Sequence, residues 1–324
     1  MNVRRSLTTL LACLVLAFPG SGGAADALPP QWPAQNVAFT VPFSKGGDAD
    51  ILVQLLLQPF LKATSFTLTP QYISGRAGAD AWALMVDDPA DGSVVTGIAI
   101  PHIILRARER DSGVSSANMG ICHIFAYTPC VLWVPKDSAY TTLQAVSQAA
   151  AAARGGFLVA GPGRYSAGQA MSRIIDRASG ARTTYIPYAG TVEAAQAVRA
   201  GHASAFWAHS IRPSIFSDTF VPVAVASEAR VPSMPDVPTF KELGIDVSLG
   251  VFHGVAVPAE TPEEIRKKIG ASFASITGTK HFQDAATALG FLPLSIAYDA
   301  IPGFFSEQEA FYAHLFDDYD MDTQ

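Results

Sequence analysis

The chain has 324 residues, 49% of them hydrophobic and 15% charged, with a formal net charge of −6. That composition supports a large buried core, most simply in two domains, and excludes an intrinsically disordered chain. The negative balance argues against nucleic acid and against an anionic membrane surface as partners.

The chain begins MNVRRSLTTLLACLVLAFPGSGGAADA, with Arg4 and Arg5 ahead of an apolar run from Leu7 to Phe18 and small residues through Ala25-Asp26-Ala27. This pattern predicts a secretory signal peptide over residues 1–27 and hence a periplasmic protein. Leu10-Leu11-Ala12-Cys13 resembles a lipobox, but the apolar core continues past Cys13, so ordinary export is the expectation.

Next, strand NVAFTVPF leads through FSKGGD into a helix from Ala49 to Gln58, bent or ended at Pro59. Strand FTLTPQYI, a helix over Ala79 to Val86 and strand SVVTGIAI come after it. ICHIFAY and CVLWVP read as paired strands turning at Thr128-Pro129. Cys122 and Cys130 are left open between a disulfide and two buried thiols. Thr141 to Arg154 is an alanine-rich helix, GFLVAG a strand, and Ala167 to Ser179 a helix stopped by Gly180. TTYIPY, a helix over Val192 to Ala200, and strands SAFWA and FVPVAVA are next. Beyond the proline-punctuated SEARVPSMPDVPTFKELG lie strand SLGVFHGVAVP, helices Pro262 to Ile276 and His281 to Leu289, strand FLPLSI, and a helix from Asp299 to Leu315. The alternation predicts an α/β protein with mainly parallel sheets flanked by helices.

In such sheets ligands bind beyond the carboxyl ends of the strands, where loops enter helices. Three loops put glycines directly before a helix, where unpaired amides and the helix dipole favour an anion. The first supplies Phe43, Ser44, Lys45, Gly46, Gly47 and Asp48 as candidate ligand contacts; the second supplies Gly163, Arg164, Tyr165 and Ser166. The third supplies Tyr188, Gly190 and Thr191, and His209 stands at the end of SAFWA. Lys45 lies on the wrong side of Gly46-Gly47 for a nucleotide P-loop, and GGDADI lacks the third glycine of a dinucleotide fingerprint. Gly163-Arg-Tyr-Ser-Ala-Gly168 is one residue too long for a nucleophile elbow, which makes Ser166 a cap or donor before a nucleophile. Asp48 and Asp50 read as dipole-stabilising residues at a helix start. The histidines have no metal-ligand spacing, and no cofactor or metal is expected.

These stretches together carry a resemblance. Val41-Pro42-Phe43, Gly46-Gly47 and Asp50 resemble the V-P-F-x-x-G-G-x-x-D of the TctC or Bug family, the periplasmic solute receptors of tripartite tricarboxylate transporters. Pro187-Tyr188-Ala189-Gly190 is similar to its P-Y-K-G. Most specific are Arg230, Pro235-Asp236-Val237-Pro238-Thr239, Glu242 and Gly244, with Gly254 to Ala259 and Thr261-Pro262 after them. The resemblance implies a type II, Venus-flytrap binding protein, with lobe 1 over residues 28–131 and 251–324 and lobe 2 over 132–250. It further implies a small organic carboxylate as ligand, membrane permease subunits as partners, a monomer, and no catalysis. A ligand-sensing receptor for a sensor kinase and a secreted serine hydrolase are the alternatives. Departures from the family pattern fall at Lys45, at Gln169 where a histidine is common, and at Ala208 where an acid is common, with His209 beside it.

Overall fold

The computed structural model describes residues 32–319 apart from 110, 155, 211–215 and 217. The expected signal peptide lies outside the described residues. Strand β1 (Val37–Val41) runs into helix α1 (Asp48–Thr64), and β2 (Leu68–Tyr72) leads to α2 (Ala79–Leu84) and β3 (Val94–Ile100). Helix α3 (His102–Ala107) precedes the long strand β4 (Met119–Pro135). Then come α4 (Leu143–Ala152), β5 (Phe157–Gly161), α5 (Ala167–Ser179), β6 (Thr183–Pro187), α6 (Thr191–Arg199), β7 (Ala205–His209) and β8 (Phe220–Val225). Strand β9 (Gly250–Pro258), helices α7 (Glu263–Thr277) and α8 (Lys280–Ala288), β10 (Leu292–Ile296) and α9 (Ile301–Tyr319) complete the chain's order.

The strands join in the order β2-β1-β3-β9-β4-β7-β5-β6, with β8 and β10 also on β4. Pairing is mixed. β1 is parallel to β2 and β3, and β5 to β6 and β7, as strand-helix-strand units require. β3 with β9, and β4 with β7, β8, β9 and β10, are antiparallel. The antiparallel strands β4 and β9 are those that carry the chain between the two parallel units.

β4 corrects the expected hairpin. ICHIFAYTPCVLWVP is one strand, buried from Cys122 to Val134, and it passes straight through Thr128-Pro129. At Pro129 it exchanges neighbours: Pro129 faces Gly250 of β9, and Cys130 faces His209 of β7. A strand buried on both faces reads as a continuous apolar run, and proline fits where the ladder passes from one partner to the next. The same geometry settles the cysteines. Eight residues of strand put Cys122 and Cys130 roughly 26 Å apart, far beyond the reach of a disulfide. Both are free and buried, and burial pushes the Cys122 thiol up to about 12.

Helix α1 also differs from expectation by running on past Pro59. Phe60 is fully buried beside Leu56, Trp32 and Phe273, and burying such a side chain contributes about 1.5–3 kcal/mol. That offsets the backbone hydrogen bond lost at the proline. The second parallel unit has its own core, where Phe206, Phe216 and Phe220 pack edge to face around Trp133. A further buried cluster runs through both, joining Trp82 and Ile100 to Leu132, Val159 and Trp207.

Because both thiols are buried and apart, a reductant is expected to leave the thermal midpoint of the mature protein unchanged. Cys122 and Cys130 are expected to react with a thiol reagent only after denaturation; a midpoint that falls in reductant would contradict this arrangement.

Candidate functional site

The carboxyl ends of β1, β3, β5, β6 and β7 converge on one cleft, whose residues come from the strand ends and from the loops and helix starts just beyond them. After β1, Gly46 takes φ +88° and donates its amide to the Asp50 carboxylate at 2.7 Å. Asp50 also accepts from the Tyr72 hydroxyl at 2.7 Å and from Gln54 at 3.2 Å, so it staples the loop to the helix as well as facing its dipole. Gly47 then caps α1 in extended backbone, with no side chain taking the first amides. Gly190 caps α6 in the same way. Both helices therefore present first-turn N–H groups without intrahelical partners.

The second glycine loop is built differently. Ser166 caps α5 with its own hydroxyl, which accepts from the Gln169 amide at 3.3 Å. That hydroxyl also bonds the Gly163 carbonyl at 2.9 Å and the Tyr185 hydroxyl at 3.0 Å. Gln169 in turn accepts from the Tyr165 amide at 2.6 Å, holding Tyr165 at φ +52°. Of this loop only Pro162 reaches the cleft wall.

The empty space of the cleft, open solvent at its mouth included, is about 430 Å³. Of the residues singled out in the sequence, Phe43, Ser44, Gly47, Asp48, Gly190, Thr191 and His209 line it. Lys45 and Gly46 are exposed and outside the lining. Tyr165 is buried under the guanidinium groups of Arg106 and Arg164, at 5.6 and 5.5 Å from its ring centre. Gly163 lies so close to Ala77 that an added Cβ would stand 2.4 Å from the alanine methyl. Arg164, Ser166 and Tyr188 also lie outside the lining; Tyr188 packs on the second core. Ala49, Ala99, His102, Val192, Val251 and His253 complete the wall. His102 was legible by the same strand-end rule, since it opens a helix just after SVVTGIAI, but no glycine marked the loop. Among the described residues no group of His, Cys, Asp or Glu side chains could hold a metal ion.

Comparison with known proteins agrees with this geometry. The model of the tripartite tricarboxylate transporter family receptor, TctC, matches residues 115–312, more than half of the chain. The chain belongs to that receptor family. The protein BugT of Bordetella pertussis is 22% identical over 317 residues, covering 94% of this chain and 95% of that protein. The structure of the periplasmic binding protein BugD superposes with a TM-score of 0.83 at 20% identity, covering 90% of this chain and all (100%) of BugD. Rpa4515 of R. palustris, solved with adipate, gives a TM-score of 0.83 at 20% identity over 88% of this chain and 97% of its own. These structures share the receptor's fold.

The receptor's cleft is held across its middle by charge. His209 Nδ1 meets the Asp48 carboxylate, both buried, one at the end of β7 and the other in the first turn of α1. Burial alone would lower the His209 pKa; the Asp48 carboxylate overrides it and carries the imidazole to about 10. Burial likewise opposes ionisation of Asp48, and His209 keeps its pKa below the ordinary value. His102 and His253 go the other way. Burial, with His209 adding repulsion, lowers each to about 3, so both are neutral at pH 7. His253 Nε2 is hydrogen-bonded to the Thr128 hydroxyl at 2.7 Å, while His102 Nδ1 is buried with no partner in the structure.

Asp48→Ala removes the carboxylate that keeps His209 charged, so the buried imidazole loses its proton and its hydrogen-bond partner, at an expected cost of about 1–3 kcal/mol by denaturant unfolding. His209→Ala strands Asp48 in the same way, and the double variant is expected to cost clearly less than the sum, which equal additive losses would contradict. The lowered histidines set the pH dependence. Their neutral forms stabilise the fold fully above the unfolded value of 6.5, and that contribution is lost as pH falls toward about 3. Unfolding free energy is therefore expected to drop below pH 6 by about 1.4 kcal/mol per pH unit for each of them. The ion pair adds no loss there, because His209 stays charged well above pH 7 and Asp48 is protonated only below its ordinary 3.8. A flat acid limb, measured with denaturant at each pH, would count against neutral histidines.

Proposed function

We propose that this protein captures a small organic carboxylate in the cleft, outside the cytoplasm, and delivers it to the membrane permease of a tripartite tricarboxylate transporter. In this reading it acts as a monomer and performs no chemistry on its ligand. The observation that carries the proposal is the origin of the cleft wall. Asp48, Ser44 and His102 come from the strands and helices before β4's exchange point, and Gly190, Thr191 and His209 from those after it. The proposed lobes are residues 28–131 with 251–324, and 132–250. The backbone passes between them after residues 131 and 250, close to where β4 exchanges neighbours and Cys130 N donates to Leu249 O at 2.9 Å. Two crossings of this kind allow one lobe to turn on the other.

Contacts between the proposed lobes among the described residues support a closed state: Asp48 with His209, the Ser44 hydroxyl on Glu193 Oε1 at 2.9 Å, and Arg106 Nη1 on the Arg164 carbonyl at 3.4 Å. The unpaired amides opening α1 and α6 are the groups that would take a ligand carboxylate. The adipate bound by the R. palustris relative supports a small acid as the ligand class. Membership of a receptor family, together with a Ser166 hydroxyl spent on its cap and Tyr185, supports binding over hydrolysis. No helix among the described residues is long and apolar enough to cross a membrane, which fits a receptor carried to its permease by diffusion.

Native mass spectrometry of the protein as purified is expected to show a small organic acid bound. Small-angle scattering is expected to show compaction when that acid is returned to stripped protein. A protein that carries no acid and does not change its radius of gyration with any carboxylate would contradict the proposal.

A further inference from the structure

We propose that His102 recognises a hydroxyl group on the ligand, so that the acid preferred by this cleft is a hydroxy acid. This rests on the receptor reading above and names a second polar group on the ligand within it.

The other buried histidines of the described chain spend their ring nitrogens on the protein. His123 has both paired, Nδ1 with the Ile296 carbonyl at 3.1 Å and Nε2 with the Thr277 hydroxyl at 3.3 Å. His253 has Thr128, and His209 has Asp48. His102 is as buried as these, at 1% exposure, yet its Nδ1 has no partner. Among the described residues that line the cleft, it is the one whose side chain carries a buried polar atom without a hydrogen bond. An unpaired buried polar atom opposes folding, and such atoms are rare for that reason. One in the wall of a ligand cleft points to a partner brought by the ligand.

The fold puts His102 where a ligand would meet it. It follows β3, which lies between β1 and β9 in the sheet. That places it between the start of α1, beyond β1, and His253, whose neighbour across the ladder is Ala99 of β3. Its ring is held by apolar contact alone: Phe43 meets it edge to face at 5.8 Å, and Trp82 backs Phe43 at 6.1 Å. Orientation is thus fixed without using a nitrogen.

The chemistry of the ring selects the group. Burial, with the charged His209 nearby, keeps His102 neutral at pH 7. One nitrogen of a neutral imidazole then donates and the other accepts. A hydroxyl both donates and accepts, so it pairs with either tautomer, whereas a carbonyl needs the N–H and an amide N–H needs the bare nitrogen. The first-turn amides of α1 and α6 remain for the ligand's carboxylate. A site with a buried group that needs a hydroxyl rejects the analogue lacking it, because the group is left unpaired.

The test is calorimetric binding to the stripped mature protein at pH 7.5, using pairs of acids that differ by one hydroxyl: butyrate against 3-hydroxybutyrate, succinate against malate, and benzoate against 3-hydroxybenzoate. In the pair that binds best, wild type is expected to hold the hydroxy acid at least about tenfold tighter than its twin. His102→Phe keeps a ring against Phe43 and removes both nitrogens, and is expected to bring that ratio to about one. The thermal midpoint of ligand-free His102→Phe is expected to equal or exceed that of wild type, since an unpaired polar atom has gone. His102→Gln, which restores a donor and an acceptor, is expected to recover part of the ratio. Nitrogen-15 spectra of wild type supply a readout that needs no folded variant: the hydroxy acid is expected to shift the His102 ring nitrogens and its twin to leave them in place. Equal binding within every pair, a ratio unmoved in folded His102→Phe, a midpoint that falls with no change in ratio, or ring nitrogens unmoved by the hydroxy acid would overturn the proposal while leaving the receptor reading in place. Failure of all these acids to bind would overturn both.

Discussion

The contact between Asp48 and His209 governs this cleft. It is a full ion pair buried between the first turn of α1 and the end of β7, segments separated by 161 residues in the chain. A buried pair of this kind contributes little net stability, because desolvation of both ions opposes their attraction. Its consequence is specificity of arrangement. With Asp48 in place His209 is charged, and with His209 charged the nearby His102 and His253 are held neutral more firmly than burial alone would hold them. One contact therefore sets the charge of His209 and reinforces the neutrality that burial, the larger cause, imposes on His102 and His253.

That contact depends on the long strand β4. By changing partners at Pro129, it brings Cys130 beside His209 on one side and Thr128 beside His253 on the other. The strand is buried along nearly its whole length, so it cannot slip without exposing apolar residues or reversing its faces. The cleft is thus referenced to a firmly packed element of the fold, while its walls are loops whose amides remain available. The glycines at 47 and 190 leave those amides uncapped, whereas Ser166 closes off the third helix start with its own hydroxyl. This difference between two glycine caps and one serine cap explains why one glycine loop supports the wall while the other two form it.

Most of the elements were legible in the sequence because local periodicity and glycine stops decide them: α5 runs from Ala167 to Ser179 and ends at Gly180 with φ +68°, as its pattern requires. Local signals failed where long-range packing overrode them. Thr128-Pro129 carries a turn signal, yet burial on both faces and a change of neighbours keep β4 straight. Pro59 carries a stop signal, yet the pocket that receives Phe60 continues the helix. In the site, the strand-end rule located Phe43 to Asp48, Gly190-Thr191 and His209, but could not show that Lys45 stays exposed outside the wall or that Tyr165 is buried against two arginines.

By itself the sequence determined the α/β class, the family resemblance and the loops that enter helices, since these arise from hydrophobic period, glycine placement and ordered short motifs. Only the tertiary structure decided the charge of the cleft. Asp48 in isolation is an ordinary acid at a helix start, and His209 an ordinary histidine at a strand end. Their pairing, and the neutrality it helps impose on His102 and His253, arises because strands distant in sequence meet at Pro129 and exclude water around the groups they bring together.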